Sequence, residues 1–129
     1  MLSEKYIGLI KKLFEKTKSK AAIWQKSSTQ GQFQLQLSSG IVTVSKYDGD
    51  YNNNPAVFIS IYNASGDRID TLNVESDDHE FVLANELYSM VRRSYYKVDE
   101  TIDGFFDELN SDKVIGETSS APDDEDLPF

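Results

Sequence analysis

An α+β fold is what this sequence predicts: an N-terminal helix, an antiparallel meander of four or five strands, a long C-terminal helix packed on the sheet, and a disordered acidic tail. Apolar residues recur every three or four positions at the start, every second position in the middle, and every three or four again before the tail. Those are the periods at which a helix and a strand bring side chains to one face.

Leu2, Tyr6, Ile10, Leu13, Phe14 and Thr17 make the first stripe, with Ser3 placed to cap a helix that runs to Lys18. Such a stripe has to be buried against the rest of the domain. Ala22, Ile23, Trp24 and Gln25 read as a short first strand, followed by a polar turn from Ser27 to Gly31. Phe33, Leu35 and Leu37 then alternate with Gln32, Gln34 and Gln36, which predicts a half-buried strand with an amide face. Ser38, Ser39 and Gly40 turn the chain into Ile41 to Tyr47, with Val42 and Val44 inward.

Asp48 to Pro55, with Gly49 and three consecutive asparagines, is a loop by composition. Ala56 to Tyr62 is strongly strand-forming, and a turn from Ala64 to Asp67 leads into a last strand from Arg68 to Val74. Asp77 and Glu80 stand at capping-box spacing. Ala84, Leu87, Tyr88, Val91, Tyr95, Val98, Ile102, Phe105 and Leu109 continue as a helical stripe. One long closing helix is expected, with a break or bend near Gly104, because glycine costs about 1 kcal/mol there relative to alanine.

Residues 1–110 make a single domain of ordinary size, and residues 111–129, with Gly116, Thr118, Ser119, Ser120 and Pro122 among acids, make a flexible tether. The absence of cysteine excludes a disulfide framework and any thiolate nucleophile or metal ligand. The start of the chain reads as an amphipathic helix and not as a signal peptide, and no run approaches the ~20 apolar residues that span a bilayer. A cytoplasmic protein is expected. The net charge of −9 is unevenly spread: eight lysines face Glu4 and Glu15 up to Lys46, a balance of +6, whereas five bases face twenty acids from Tyr47 onward, a balance of −15.

The most specific functional signal is at the end. Asp123, Asp124, Glu125 and Asp126 precede Leu127, Pro128 and Phe129. Four adjacent acids with no base among them resist burial, so the apolar tip behind them is held out for another molecule. An extended free end of this kind suits a pocket that takes the Phe129 ring while a basic residue meets the terminal carboxylate. Burying a phenylalanine contributes roughly 1.5–3 kcal/mol and a hydrogen bond to a charged group about as much again, before ordering costs, so the contact is weak and salt-sensitive. Pro128 restricts the backbone beforehand.

These seven residues resemble the C-terminal tip of bacterial single-stranded-DNA-binding proteins, an acidic run followed by an aliphatic residue, proline and phenylalanine. The resemblance implies partners among the genome-maintenance proteins that recognise such tips, with Phe129 inserted, Leu127 and Pro128 beside it, and the four acids steering encounter. The remaining 122 residues depart from that family, since a helix opens the chain where a five-stranded barrel would begin.

A second possibility is single-stranded nucleic-acid binding, with the tail screening the same surface. Lys12, Lys16 and Lys20 recur at i, i+4 spacing, and Trp24, Lys46, Phe58 and Tyr62 supply rings and a charge for a stacking platform. A third is an interaction module with an inert tail. Catalysis is not expected: no phosphate-cradling glycine loop is present, and His79, the only histidine, stands among Asp77, Asp78 and Glu80 at a helix start. Asp48, Asp50 and Asn52 alternate as at the start of a calcium loop, but the glycine and glutamate that complete one are missing, and neither metal nor cofactor is expected. The carboxylates of Asp99, Asp103 and Asp107 share a helix face and read as solvated. The sequence thus points to a small non-enzymatic accessory protein of bacterial or phage DNA replication and repair.

Overall fold

The computed structural model describes residues 3–116, so Leu2 and the tip from Asp123 to Phe129 lie outside the described residues. In chain order the elements are α1 (Glu4–Lys18), β1 (Gln25–Lys26), β2 (Gln32–Leu37), β3 (Gly40–Tyr47), β4 (Ala56–Asn63), β5 (Arg68–Glu75), α2 (Phe81–Tyr96) and α3 (Val98–Leu109). The chain divides into two compact units between Val98 and Asp99, whereas the sequence places its boundary after residue 110.

In the first unit the five strands form one antiparallel sheet in sequential order, β1 to β5. Register decides what each face carries. Phe33 lies opposite Val44, Val44 opposite Ile59, and Ile59 opposite Leu72; Leu35 meets Val42, and Val57 meets Val74. The inward sets of four strands therefore share one face, and that face is buried with Ile10 and Leu13 of α1 and with Ala84, Leu87 and Val91 of α2. α2 packs on β3, β4 and β5, and α1 packs against α2.

The predicted stripe of α1 is realised: Ile10, Leu13 and Thr17 are buried, and the Ser3 hydroxyl accepts from the Tyr6 N–H at 3.4 Å. Beyond the helix, Trp24 is 4 % exposed. Its indole N–H donates to Thr17 Oγ1 at 2.9 Å, and the Thr17 hydroxyl donates to the Leu13 carbonyl at 2.6 Å. This relay lets a large ring enter the core without orphaning its one donor. The phenol of Tyr6 donates to Asp70, which ties α1 to β5 and raises the tyrosine pKa, chiefly through that hydrogen bond.

The C-terminal stripe forms two helices where the sequence predicts one. The break falls at Lys97, in the left-handed region at φ 53° and ψ 47°, with its N–H returning to the carbonyls of Arg93 and Ser94. Gly104 lies inside α3. A glycine penalty of about 1 kcal/mol does not stop a helix, whereas a single left-handed residue that closes its last turn does. The capping box is also absent: α2 begins at Phe81 with no side-chain cap on it, and the Asp78 carboxylate instead accepts from the Glu75 N–H at 2.7 Å.

Replacing Thr17 with valine is expected to lower stability by about 1–3 kcal/mol, the cost of a buried donor without a partner, measured by denaturant unfolding with Trp24 fluorescence as the probe. At Gly40 a Cβ would stand 2.0 Å from the Tyr62 carbonyl oxygen. Gly40→Ala should therefore shift β3 against β4 and cost about 1–3 kcal/mol, with amide exchange accelerating first at that end of the strand pair.

Candidate functional site

Strand alternation places most of the polar residues of the sheet, with Lys46 and Asp70 among the exceptions, on the face away from α1 and α2. Across it run the pairs Gln25 with Gln34, Gln34 with Thr43, Thr43 with Ser60 and Ser60 with Thr71. Flanking rows carry Gln36, Ile41 and Tyr62, and Gln32, Ser45, Phe58 and Asn73. The result is a surface of amides, hydroxyls and three half-buried aromatic rings, Tyr47 opposite Ala56 joining Phe58 and Tyr62, with Arg68 and Glu75 only at its β5 border. Ser60 and Thr71 hydrogen-bond each other across the strands at 3.1 Å.

On this face the β1–β2 turn forms one wall of a concavity of ≈ 200 Å³. Ser27, Ser28 and Thr29 line it together with Gln32, Gln34, Ile41, Thr43 and Tyr62. The turn is held in place because Ser27 Oγ donates to Gln32 Oε1 at 2.5 Å and accepts from the Thr29 N–H at 3.0 Å. No ionisable acid or base contributes to the lining. The sequence shows the amide half of this surface in Gln32, Gln34 and Gln36. The hydroxyl half, Thr43, Ser45 and Ser60, is less visible in the sequence, because Thr43 and Ser60 stand singly between apolar residues and Ser45 between Val44 and Lys46, and only the alternation of the strands signals it.

The nucleic-acid candidates are not brought together. Trp24 is inside the core with its indole N–H engaged, so it offers no face to a base. Phe58 and Tyr62 are on the open face, while Lys46, which follows Val42 and Val44 in the inward alternation and stands opposite Val57, belongs to the helix side. Lys12 and Lys16 are exposed on α1, also on the helix side, and Lys20 lies past the end of that helix at φ 63°. The sheet therefore separates the rings from most of the cations, whereas a single-strand platform needs them side by side.

Tyr95 and Tyr96 pack around Phe33 with ring centroids 5.3 and 6.1 Å from it. Lys26 Nζ and the Arg92 guanidinium lie 5.4 and 5.2 Å from the centre of the Tyr96 ring. Lys26 has its pKa raised, first by its hydrogen bond to Tyr96. These cations are engaged in the fold. His79 is exposed, and among the described residues no group of three or more potential ligands could hold a metal ion. No described helix is long and apolar enough to cross a membrane.

In the loop after β3, the Asp50 carboxylate hydrogen-bonds the Tyr47 phenol and accepts from the N–H groups of Asn52 at 2.8 Å and Asn53 at 2.9 Å. Those contacts, the phenol foremost, lower its pKa. The carboxylate is thus used to fold its own loop.

The second unit contains most of α3. Ile102, Phe105, Phe106 and Leu109 are exposed along one side of the helix, and Asp99, Glu100, Asp103, Asp107 and Glu108 supply acids without a base among them. Counted from the sequence, residues 99–129 hold eleven acids and one lysine, a balance of −10, whereas residues 1–98 hold twelve bases and eleven acids, a balance of +1.

The chain matches no protein-family model, no curated protein and no solved structure. Its functional reading rests on these residues alone.

Because the Asp50 pKa is lowered on folding, the loop contacts contribute above the unfolded aspartate value of about 3.9 and fade as pH falls through the lower folded value. The backbone amides of Asn52 and Asn53 should accordingly titrate with a midpoint below about 3.9 in NMR spectra. Asp50→Asn should remove that transition.

Proposed function

We propose that this chain is a small non-enzymatic accessory protein of bacterial or phage DNA replication and repair, working in the cytoplasm, that docks partner proteins through its acidic, phenylalanine-tipped segment. The observation that carries this reading is the order of residues from Asp123 to Phe129: four carboxylates, then Leu127, Pro128 and Phe129. The partners are genome-maintenance proteins whose pockets accept the tips of single-stranded-DNA-binding proteins, with a basic rim facing the acids and an apolar floor for the ring.

Charge distribution supports it. The negative charge of the chain is concentrated beyond Val98, while the strand-bearing unit is nearly neutral. Acids close in sequence to the tip raise the rate of encounter with a basic surface, and this steering weakens over a Debye length of about 8 Å at physiological salt. Nucleic-acid binding by the body has less support, because Trp24 is buried and Lys12, Lys16 and Lys46 stand across the sheet from Phe58 and Tyr62.

Capture from a bacterial lysate with the intact chain, beside a version lacking Phe129, tests the proposal. The intact chain should retain proteins that a synthetic single-stranded-DNA-binding-protein tip peptide releases, and the truncated chain should not. Retention should fall as salt rises. Equal recovery by both versions would overturn the reading and leave an interaction module with an inert tail.

A further inference from the structure

Thr43 is the least expected residue on the open face. It is 4 % exposed, and its Oγ1 has no hydrogen-bond partner. An unpaired buried hydroxyl costs about 1–3 kcal/mol, and Ile41, its neighbour on the same face of β3, shows that an apolar residue is accommodated there. The same threonine lines the concavity beneath the β1–β2 turn. A residue that lines a cavity open to solution while its own hydroxyl is shut off and unpartnered points to a ligand toward which that hydroxyl turns about χ1.

The lining defines that ligand. With no charged side chain in the wall, a phosphate, carboxylate or ammonium group would lose hydration without gaining a counter-charge. Ser28 and Thr29 bring hydroxyls and Gln32 and Gln34 bring amides to the lining, groups that both donate and accept. Gln32 accepts from Ser27 through its side-chain oxygen, which leaves its NH2 group as the donor for a ligand. Tyr62 adds a ring face beside these polar groups. Many ambivalent hydrogen-bonding groups around one aromatic wall match a molecule whose rim is hydroxyls and whose face is C–H. At ≈ 200 Å³ the space takes one ring and is smaller than the roughly 300–1,000 Å³ of pockets for drug-sized ligands.

We propose that the Thr43 concavity is a subsite for an uncharged polyhydroxylated ring, a pyranose unit. Thr43 Oγ1, turned about χ1 into the concavity, bonds a ring hydroxyl, Gln32 and Gln34 fix orientation, and Tyr62 covers the C–H face. The site lies in the first unit and shares no residue with the acidic tip, so the docking function and this binding stand or fall separately.

Titrating the full chain with methyl glucoside, methyl mannoside and N-acetylglucosamine, followed by 15N-edited NMR, provides the test, with uridine and adenosine as uncharged rings of different chemistry. Saturable millimolar binding of at least one sugar is expected, with shifts confined to the β1–β2 turn, β2, the middle of β3 and Tyr62. Thr43→Val should leave the fold intact and weaken binding about three- to tenfold, the worth of one hydrogen bond. Tyr62→Leu, which keeps an apolar side chain at that position, should weaken it independently. Absence of saturable shifts with all three sugars, shifts located elsewhere, unchanged binding by both variants, or nucleosides binding in preference to sugars would each overturn the proposal.

Discussion

The constraint on which this structure depends is phase. Four strands alternate apolar and polar residues, and the register of each pair puts every apolar set on the same side. A slip of one residue in any strand would send its valines or isoleucines to water and its serines or glutamines into the core. The helices then have a single face to cover. α2 lies on that face and α1 packs against α2, so the burial that stabilises the unit is also what leaves the other face of the sheet polar.

From that one-sidedness follows the distribution of chemistry. The lysines of α1 and Lys46 fall on the helix side, and Phe58 and Tyr62 fall on the other. Trp24 belongs to neither surface, because a ring of its size in a small domain contributes more inside the core, given a partner for its N–H. Thr17 supplies that partner, and its own hydroxyl donates a hydrogen bond to the Leu13 carbonyl. A residue that looks in sequence like a stacking platform is in the structure a core anchor.

Charge is divided along the chain rather than across the fold. The strand-bearing unit is close to neutral, and the acids collect in α3 and beyond it, among exposed aliphatic and aromatic side chains. Acidic residues beside exposed apolar ones favour contact with a basic rim around an apolar groove, and the Leu127–Pro128–Phe129 tip shares that chemistry with α3. The neutral open face favours uncharged ligands. The two proposals therefore concern different classes of molecule.

Much of the architecture was legible without coordinates. The stripe of α1, the Ser3 cap and the alternation at Phe33 to Leu35, Val42 to Val44 and Ala56 to Tyr62 are local patterns, and local patterns dictate which side of an element is buried. The break at Lys97 was not legible, since it is a left-handed backbone state at a residue whose side chain does not require one. Nor was the fate of Trp24, which depends on Thr17 standing within 2.9 Å. The sequence by itself determined the elements, their apolar faces and the acidic tip, because these need only neighbours along the chain. Tertiary structure alone decided that Gln34, Thr43 and Tyr62 border one cavity and that the rings and cations part company, because strand pairing brings together residues that the sequence keeps far apart.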